Sequence, residues 1–376
     1  MHKNIPKIVL IRANSIRSDT RTLKMYQTLN KFSECTPILW NRDNIRETEP
    51  KAIRWYFNVP LGSKKFLLFF PLWTIVCVWQ LFKLKPDAIH GCDLDGVIPA
   101  YIYSVFRKTP FVFDIHDVTE GKYALNPKSS LRRLFLWADR VMIIKANAVF
   151  MPDPERMDQL ELKKDLRDKL TNKCFVVYNS DIITAGTKNI TFSSKKQLVA
   201  SYVGNLTRNI RGVEFILDAI PKFPNIFFQI AGMGADYQYF AERFNKLKTS
   251  NFKFWGRVSH EKAMEINIKS DFMISLLNPN FHNYKFASST KLFEAFRLFK
   301  PIIVSDETAT SNILNSTEWG SAIKYHEGEL EKVLSQISTG KISYCLDSKR
   351  TSKYSWQQME KIISNTYSKL LNLPIQ

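Results

Sequence analysis

With 376 residues, the chain is long enough to bury two hydrophobic cores, because single domains commonly hold about 100–200 residues. Hydrophobic residues at 45% and charged residues at 24% exclude a disordered polymer, and five scattered cysteines with no CxxC pair suggest neither a disulfide framework nor a zinc site, as fits a reducing cytosol. A net charge of +19 calls for anionic partners; without zinc-finger spacing, an RNP aromatic pattern or a recognisable helix-turn-helix, those are expected to be phosphates and a membrane surface rather than nucleic acid.

The opening residues, MHKNIPKIVLIRANS, turn polar too soon for a signal peptide. In chain order, the first half gives strand candidates at 7–11 (KIVLI), 36–40 (TPILW), 87–90 (DAIH), 111–115 (FVFDI), 148–151 (AVFM) and 174–178 (CFVVY), with helical stretches between them such as 20–32 and 94–107. The second half repeats the plan at 198–203 (LVASYV), 226–231 (IFFQIA), 252–255 (FKFW), 271–277 (DFMISLL), 301–304 (PIIV) and 321–325 (SAIKY). Strands that are apolar throughout, each followed by a helix, predict parallel sheets covered on both faces. Two such series predict an α/β chain with two Rossmann-like domains. The boundary is expected within Asn179–Gln197, which is polar and has no helical period, giving domains 1–180 and 181–353. The stretch 354–372 reads as a helix that packs back on either half.

Residues 66–82 (FLLFFPLWTIVCVWQLF) carry no charge and are flanked by Lys64, Lys65, Lys83 and Lys85. Their length sits at the lower limit for a transmembrane helix, about 17–25 residues. A single crossing would separate the strands at 7–11 and 87–90, which belong in one sheet, so the segment is expected not to span. It reads either as a helix packed on the sheet or as one whose outer face of Phe, Trp and Leu dips into a lipid interface, with lysines on anionic headgroups; peripheral attachment is the favoured expectation.

Three further signals fall in order in the second half. The strand at 198–203 runs into Gly204-Asn205-Leu206-Thr207-Arg208-Asn209-Ile210-Arg211-Gly212 and a helix. The strand at 226–231 runs into Gly232-Met233-Gly234. Ser288-Ser289-Thr290-Lys291-Leu292-Phe293-Glu294-Ala295 then opens a helix leading to Lys300-Pro301-Ile302-Ile303-Val304-Ser305-Asp306. This order resembles glycosyltransferase family 4, retaining enzymes of the GT-B fold, and IRANSIRSDTRTLK, KPDAIHGCDLDG and PFVFDIHD look like that family's N-terminal loops. The resemblance covers nearly the whole chain. It implies two Rossmann-like domains facing across a cleft, the first binding the acceptor and the second the nucleotide-sugar.

A nucleoside diphosphate leaving group gains negative charge as the glycosidic bond breaks, and cations and helix-start amides stabilise that charge. The resemblance implies Arg211 and Lys291 as the cations, with Arg208 as a further donor-site candidate. It gives Gly204 the close backbone approach to phosphate, the amides of Ser289 and Thr290 the same anion, and Glu294 the ribose hydroxyls. Where many relatives carry a glutamate eight positions before Glu294, this chain has Phe286, so Lys285 or the backbone of 287–289 would serve the donor sugar. His116, in Asp114-Ile115-His116-Asp117, is implied as the catalytic contact to the donor sugar. On the acceptor side stand Ser15, Ile16 and Arg17; Arg17 or Arg21 would hold acceptor phosphate, and Asp19 reads equally as a helix cap.

Asp93-Leu94-Asp95 is formally the DxD of GT-A enzymes, but it also resembles an HxxD turn of family 4, where no metal is bound. The resemblance thus implies no metal and no cofactor, and a UDP- or GDP-linked donor. The acceptor would be a saccharide, lipid-linked, in cell-surface polysaccharide or lipopolysaccharide assembly on the cytoplasmic face of the membrane. Three rivals stand beside it. They are a metal-dependent GT-A transferase, an NAD-dependent oxidoreductase (no complete GxGxxG follows the first strand), and a non-catalytic GT-B-like membrane scaffold, which Phe286 favours.

Overall fold

The computed structural model describes residues 5–16, 19–42, 46, 48, 50–59, 65–119, 129–192 and 196–373; Arg17 and Lys64 lie outside the described residues. The chain divides into two compact units, one comprising Met1–Tyr178 with Met359–Gln376 and the other Asn179–Gln358.

The first unit is built on seven parallel strands, β1 (Lys7–Arg12), β2 (Glu34–Asn41), β3 (Ile53–Tyr56), β4 (Ala88–Cys92), β5 (Phe111–Asp114), β6 (Ala148–Met151) and β7 (Cys174–Val176). They lie in the order β3-β2-β1-β4-β5-β6-β7. Apart from Lys7, every residue of β1, β4, β5 and β6 is buried, which is why these strands read as apolar runs without alternation. Strand order reverses between β1 and β4, where Ile11 lies opposite Gly91. Loops leaving the carboxyl ends of these two strands part in opposite directions, and that crevice is where open α/β sheets gather functional groups.

Helices α1 (Thr20–Leu29), α2 (Lys65–Leu84), α3 (Asp93–Arg107) and α4 (Ser130–Lys145) cover this sheet. Asp19 caps α1, its Oδ1 accepting from the Thr22 N–H at 3.1 Å. Because crossovers are right-handed, the connections β3→β4, β4→β5 and β5→β6 put α2, α3 and α4 on one face, and β1→β2 puts α1 on the other. α3 packs between α2 and α4.

The apolar run 66–82 forms most of α2. Phe66, Trp73, Cys77 and Leu81 are buried, and the Trp73 indole stacks near Trp40 and Trp55 while donating to the Asp95 carbonyl at 2.9 Å. Leu68, Leu72, Ile75 and Trp79 are exposed. β1 and β4, before and after this helix, pair directly, with Ile8 opposite Ala88. No helix among the described residues is long and apolar enough to cross a membrane.

In the second unit, β8 (Thr187–Thr191) pairs antiparallel with β15 (Ser343–Asp347), so the polar segment expected to hold the domain boundary carries a strand. The main sheet has six parallel strands, β9 (Leu198–Val203), β10 (Ile226–Ala231), β11 (Phe252–Gly256), β12 (Phe272–Ser275), β13 (Ile302–Ser305) and β14 (Gly320–Ile323), in the order β11-β10-β9-β12-β13-β14. Its reversal falls between β9 and β12. Helices α5 (Val213–Ala219), α6 (Tyr237–Lys246), α7 (His260–Lys269), α8 (Thr290–Leu298), α9 (Ala309–Thr317) and α10 (Glu329–Ser338) connect the strands. A terminal helix, Trp356–Leu370, starts in this unit and from Met359 onward belongs to the first, where Met359, Ile363 and Tyr367 are buried.

Candidate functional site

At the second unit's reversal, the chain leaves β9 through Gly204–Gly212 and enters α5. Gly212 has φ +60, and a Cβ there would stand 2.7 Å from the Leu276 side chain, so only glycine lets α5 begin against the loop after β12. The Gly212 N–H donates to Tyr325 Oη at 3.0 Å. Asn278 ties the two loops together, its N–H donating to the Ile210 carbonyl at 3.0 Å and its amide to that of Asn209 at 2.8 Å. Gly204 is less cramped, since a Cβ would meet Tyr202 Oη at 3.3 Å. The tight backbone approach is at Gly232, where a Cβ would lie 1.8 Å from the Gly204 carbonyl oxygen.

The two arginines of the β9 loop have different surroundings. Arg208 pairs with Asp236 at 2.9 Å and lies over the Tyr239 ring. Arg211 lies 4.8 Å from the centre of the Tyr284 ring and donates through Nη2 to Tyr284 Oη at 3.1 Å. Its Nε is buried and has no hydrogen-bond partner among the described residues.

α8 starts at the carboxyl end of β12. Ser289 is its N-cap; its Oγ accepts from the Lys291 N–H and lies 3.0 Å from Ser275 Oγ, and its own N–H donates to Thr310 Oγ1 at 2.8 Å. Thr290 follows as the first residue of the helix. Lys291 Nζ reaches both oxygens of Glu294, at 2.8 and 2.9 Å, and Asn267 Nδ2 donates to Glu294 Oε2 at 3.2 Å. The fold therefore brings Ser289, Lys291 and Glu294 together, whereas Arg211 hydrogen-bonds to Tyr284 and not to that group. Phe286 sits at the end of the short helix His282–Lys285, edge-on to His282.

The first unit's reversal is filled with charge. Arg12, at the end of β1, pairs with Asp19 and Asp93. Arg21 is buried, with Nη2 on Asp114 Oδ1 at 2.6 Å and Nη1 on the Val177 carbonyl, so it does not stand free for an acceptor phosphate. Asp114 Oδ2 meets Nε2 of both His90 and His116 at 3.2 Å. His90 Nδ1 lies 2.9 Å from Tyr367 Oη on the terminal helix, and His116 Nδ1 lies 3.4 Å from Asp19 Oδ2.

Burial and Arg12 oppose a charge on His116, but Asp19 and Asp114 outweigh them and hold its pKa well above the ordinary histidine value. Burial would raise Asp114, yet Arg21 and His116 keep it well below the ordinary carboxylate range. His90, despite burial, is raised to about 9 by Cys92 and Asp114.

The His116 side chain is only 8% exposed and both ring nitrogens face carboxylates. Ser15 and Ile16 are buried as well. Both carboxylates of the DxD are buried and engaged, Asp93 by Arg12 and the His116 N–H, Asp95 by the Ala13 N–H. One donor atom each from His90, Cys92 and Asp114 lies within 4.8 Å of the others, a set that could hold a metal ion, although Arg21 and the two imidazoles already neutralise Asp114.

Asp114 had a legible signal, a carboxylate closing an apolar strand two residues before His116. Tyr284, Tyr325 and Asn278 had none, because their partners lie far away in sequence.

Residues 197–338 match the family model described as glycosyl transferases group 1. No curated protein sequence matches the chain. Among solved structures, a sucrose-phosphate synthase from Thermosynechococcus elongatus is similar at 11% identity, over 98% of this chain and 99% of that one, with a TM-score of 0.69. Anabaena Alr3699/HepE in complex with UDP and glucose gives 13%, 97%, 100% and 0.68. The lipopolysaccharide outer core galactosyltransferase WaaB, in its apo form, gives 15%, 96%, 99% and 0.63. Such likeness, at these identities, establishes the architecture: the chain has the GT-B fold, two Rossmann-like domains.

Proposed function

We propose that the chain is a glycosyltransferase that moves a sugar from a UDP- or GDP-linked donor to a saccharide acceptor carried on a lipid, with retention of configuration. Arg211 carries this reading. It is a cation at the strand-order reversal, oriented by Tyr284, with a buried Nε that has no hydrogen-bond partner among the described residues. Buried polar groups without partners are uncommon, and a side-chain movement that turned this one toward an anion would satisfy it. The group 1 match over 197–338 supports the same assignment.

In this proposal the donor diphosphate lies against the Gly204–Gly212 loop and the start of α8. Arg211 and Lys291 balance its charge, with Arg208 at the outer edge. Ser289 has given its N–H to Thr310, which leaves the Thr290 amide to meet phosphate at the helix N-terminus. Lys291 exchanges Glu294 for phosphate, and the released carboxylate accepts from the ribose hydroxyls. The bond from the anomeric carbon to the phosphate oxygen breaks, the acceptor oxygen bonds to the same face, and its proton passes to the departing phosphate. Neither a carboxylate nucleophile nor a divalent ion is needed, because the cations stabilise the leaving group.

The first unit binds the acceptor. His116 contributes by charge, not by proton transfer, since both ring nitrogens are committed to carboxylates. The exposed apolar face of α2 and the net charge of +19 support attachment to an anionic membrane, where a lipid-linked substrate of cell-surface polysaccharide or lipopolysaccharide assembly would be met.

A thermal-shift panel of UDP- and GDP-sugars, followed by turnover with lipid-linked acceptors, tests the reading. A stabilising donor, turnover without added Mn²⁺ or Mg²⁺, and a product with unchanged anomeric configuration by NMR are expected. Absence of any nucleotide-sugar shift would favour the non-catalytic scaffold, the reading that Phe286 supports.

A further inference from the structure

The face formed by α2, α3 and α4 has an unusual surface for a helical layer over a sheet. On α2, Leu68, Leu72, Ile75 and Trp79 are exposed at 75, 47, 65 and 53%. Their spacing of three to four residues makes one stripe along the helix. On α4, Leu131, Leu134, Trp137 and Ile144 are exposed at 39, 54, 60 and 44%, a second stripe of the same kind. α3, between them, adds Val105 and Phe106 at its end. An apolar cavity of about 180 Å³ lies where the three helices meet, and Leu134 both lines it and belongs to the outer stripe.

The exposed charges carried by the three helices themselves are basic. Asp93, Asp95 and Asp139, the acidic residues of the three helices, are buried against the body of the unit. The exposed charged residues of these helices are Lys65, Lys83, Arg107, Arg133 and Lys145, all basic, with Lys85 and Lys108 just beyond their ends. Lys83 folds over the Trp79 ring at 3.4 Å, a pairing suited to the boundary between headgroups and acyl chains. Apolar stripes rimmed chiefly by cations, with Glu161 as an exposed carboxylate bridging Arg132 and Arg140 beside α4, match an anionic leaflet in both chemistry and net charge.

We infer that the α2–α3–α4 layer is a bilayer-docking face lying flat on anionic lipid, with α4 as a second insertion element beside α2. The inference deepens the membrane part of the proposed function and rests on it. Helices lying flat in the interface would hold the strands roughly parallel to the membrane plane.

Co-sedimentation with phosphatidylcholine vesicles, with and without phosphatidylglycerol, tests it on the full chain. Binding is expected only with phosphatidylglycerol. Leu134→Glu with Trp137→Glu should weaken it roughly tenfold or more, because apolar burial of either side chain is lost. The far-UV spectrum and the thermal shift with nucleotide sugar should stay as in the parent, which excludes misfolding. Brominated lipid should quench tryptophan emission less in Trp137→Phe than in the parent. Parent-like vesicle binding by the α4 variant would overturn the inference, as would a parent that ignores anionic vesicles or a solution dimer that the same variant dissolves. Loss of vesicle binding alone, with nucleotide-sugar binding retained, leaves the transferase reading standing; loss of both defeats the two together.

Discussion

The two units share a strand order and use its reversal in opposite ways. Between β1 and β4, arginines, histidines and carboxylates meet one another inside the first unit and are nearly shut off from solvent. Between β9 and β12, the cations are less committed: among the described residues the Arg211 Nε has no hydrogen-bond partner, and Lys291 pairs with a carboxylate on its own helix. Topology provides the place, and the side chains decide whether it becomes a strut or a socket.

The largest effect is expected on the strut. Asp114→Ala would leave Arg21 buried without its partner, and removing one member of a buried pair costs about 3–5 kcal/mol. Chemical denaturation should show that loss; a cost near that of a surface pair would mean the first crevice is as open as the second. Arg211→Ala should behave in the opposite way, with a nearly unchanged denaturation midpoint and turnover lower by about 10²–10³, the usual cost of losing one transition-state charge contact. Unchanged turnover would remove the socket. Between these in sharpness are the glycines. Gly232→Ala drives a methyl into the Gly204 carbonyl and should cost about 1–3 kcal/mol as overpacking, while Gly204→Ala should cost clearly less. The smallest change is Arg208→Ala, whose exposed pair with Asp236 is worth about 0–1 kcal/mol, so any effect should fall on donor KM.

Sequence pattern located the strands that are buried on both faces. The runs 198–203 and 226–231 coincide with β9 and β10, and 148–151 with β6. It passed over β3 (IRWY) and β8 (TKNIT), which are short and partly exposed, so neither continuous apolarity nor alternation marks them. In the candidate site, Arg211 and Lys291 drew attention by standing at strand–loop–helix junctions, and Glu294 by the family resemblance alone. What orients them was not legible: Tyr284 meets Arg211 from 73 residues away, and Tyr367 meets His90 from 277. Arg21 was misread for a related reason. The resemblance offered it, as an alternative to Arg17, from the loop after β1, and only the fold reveals Asp114 beside it.

The terminal helix has a consequence for how the protein is made. Met359, Ile363 and Tyr367 fill the first unit, yet they leave the ribosome only after the whole of Asn179–Gln358. The N-terminal unit therefore cannot complete its packing, the His90–Tyr367 contact included, until that helix has been made. Shortening the chain at Ser355 would strip the earlier-made unit of part of its core.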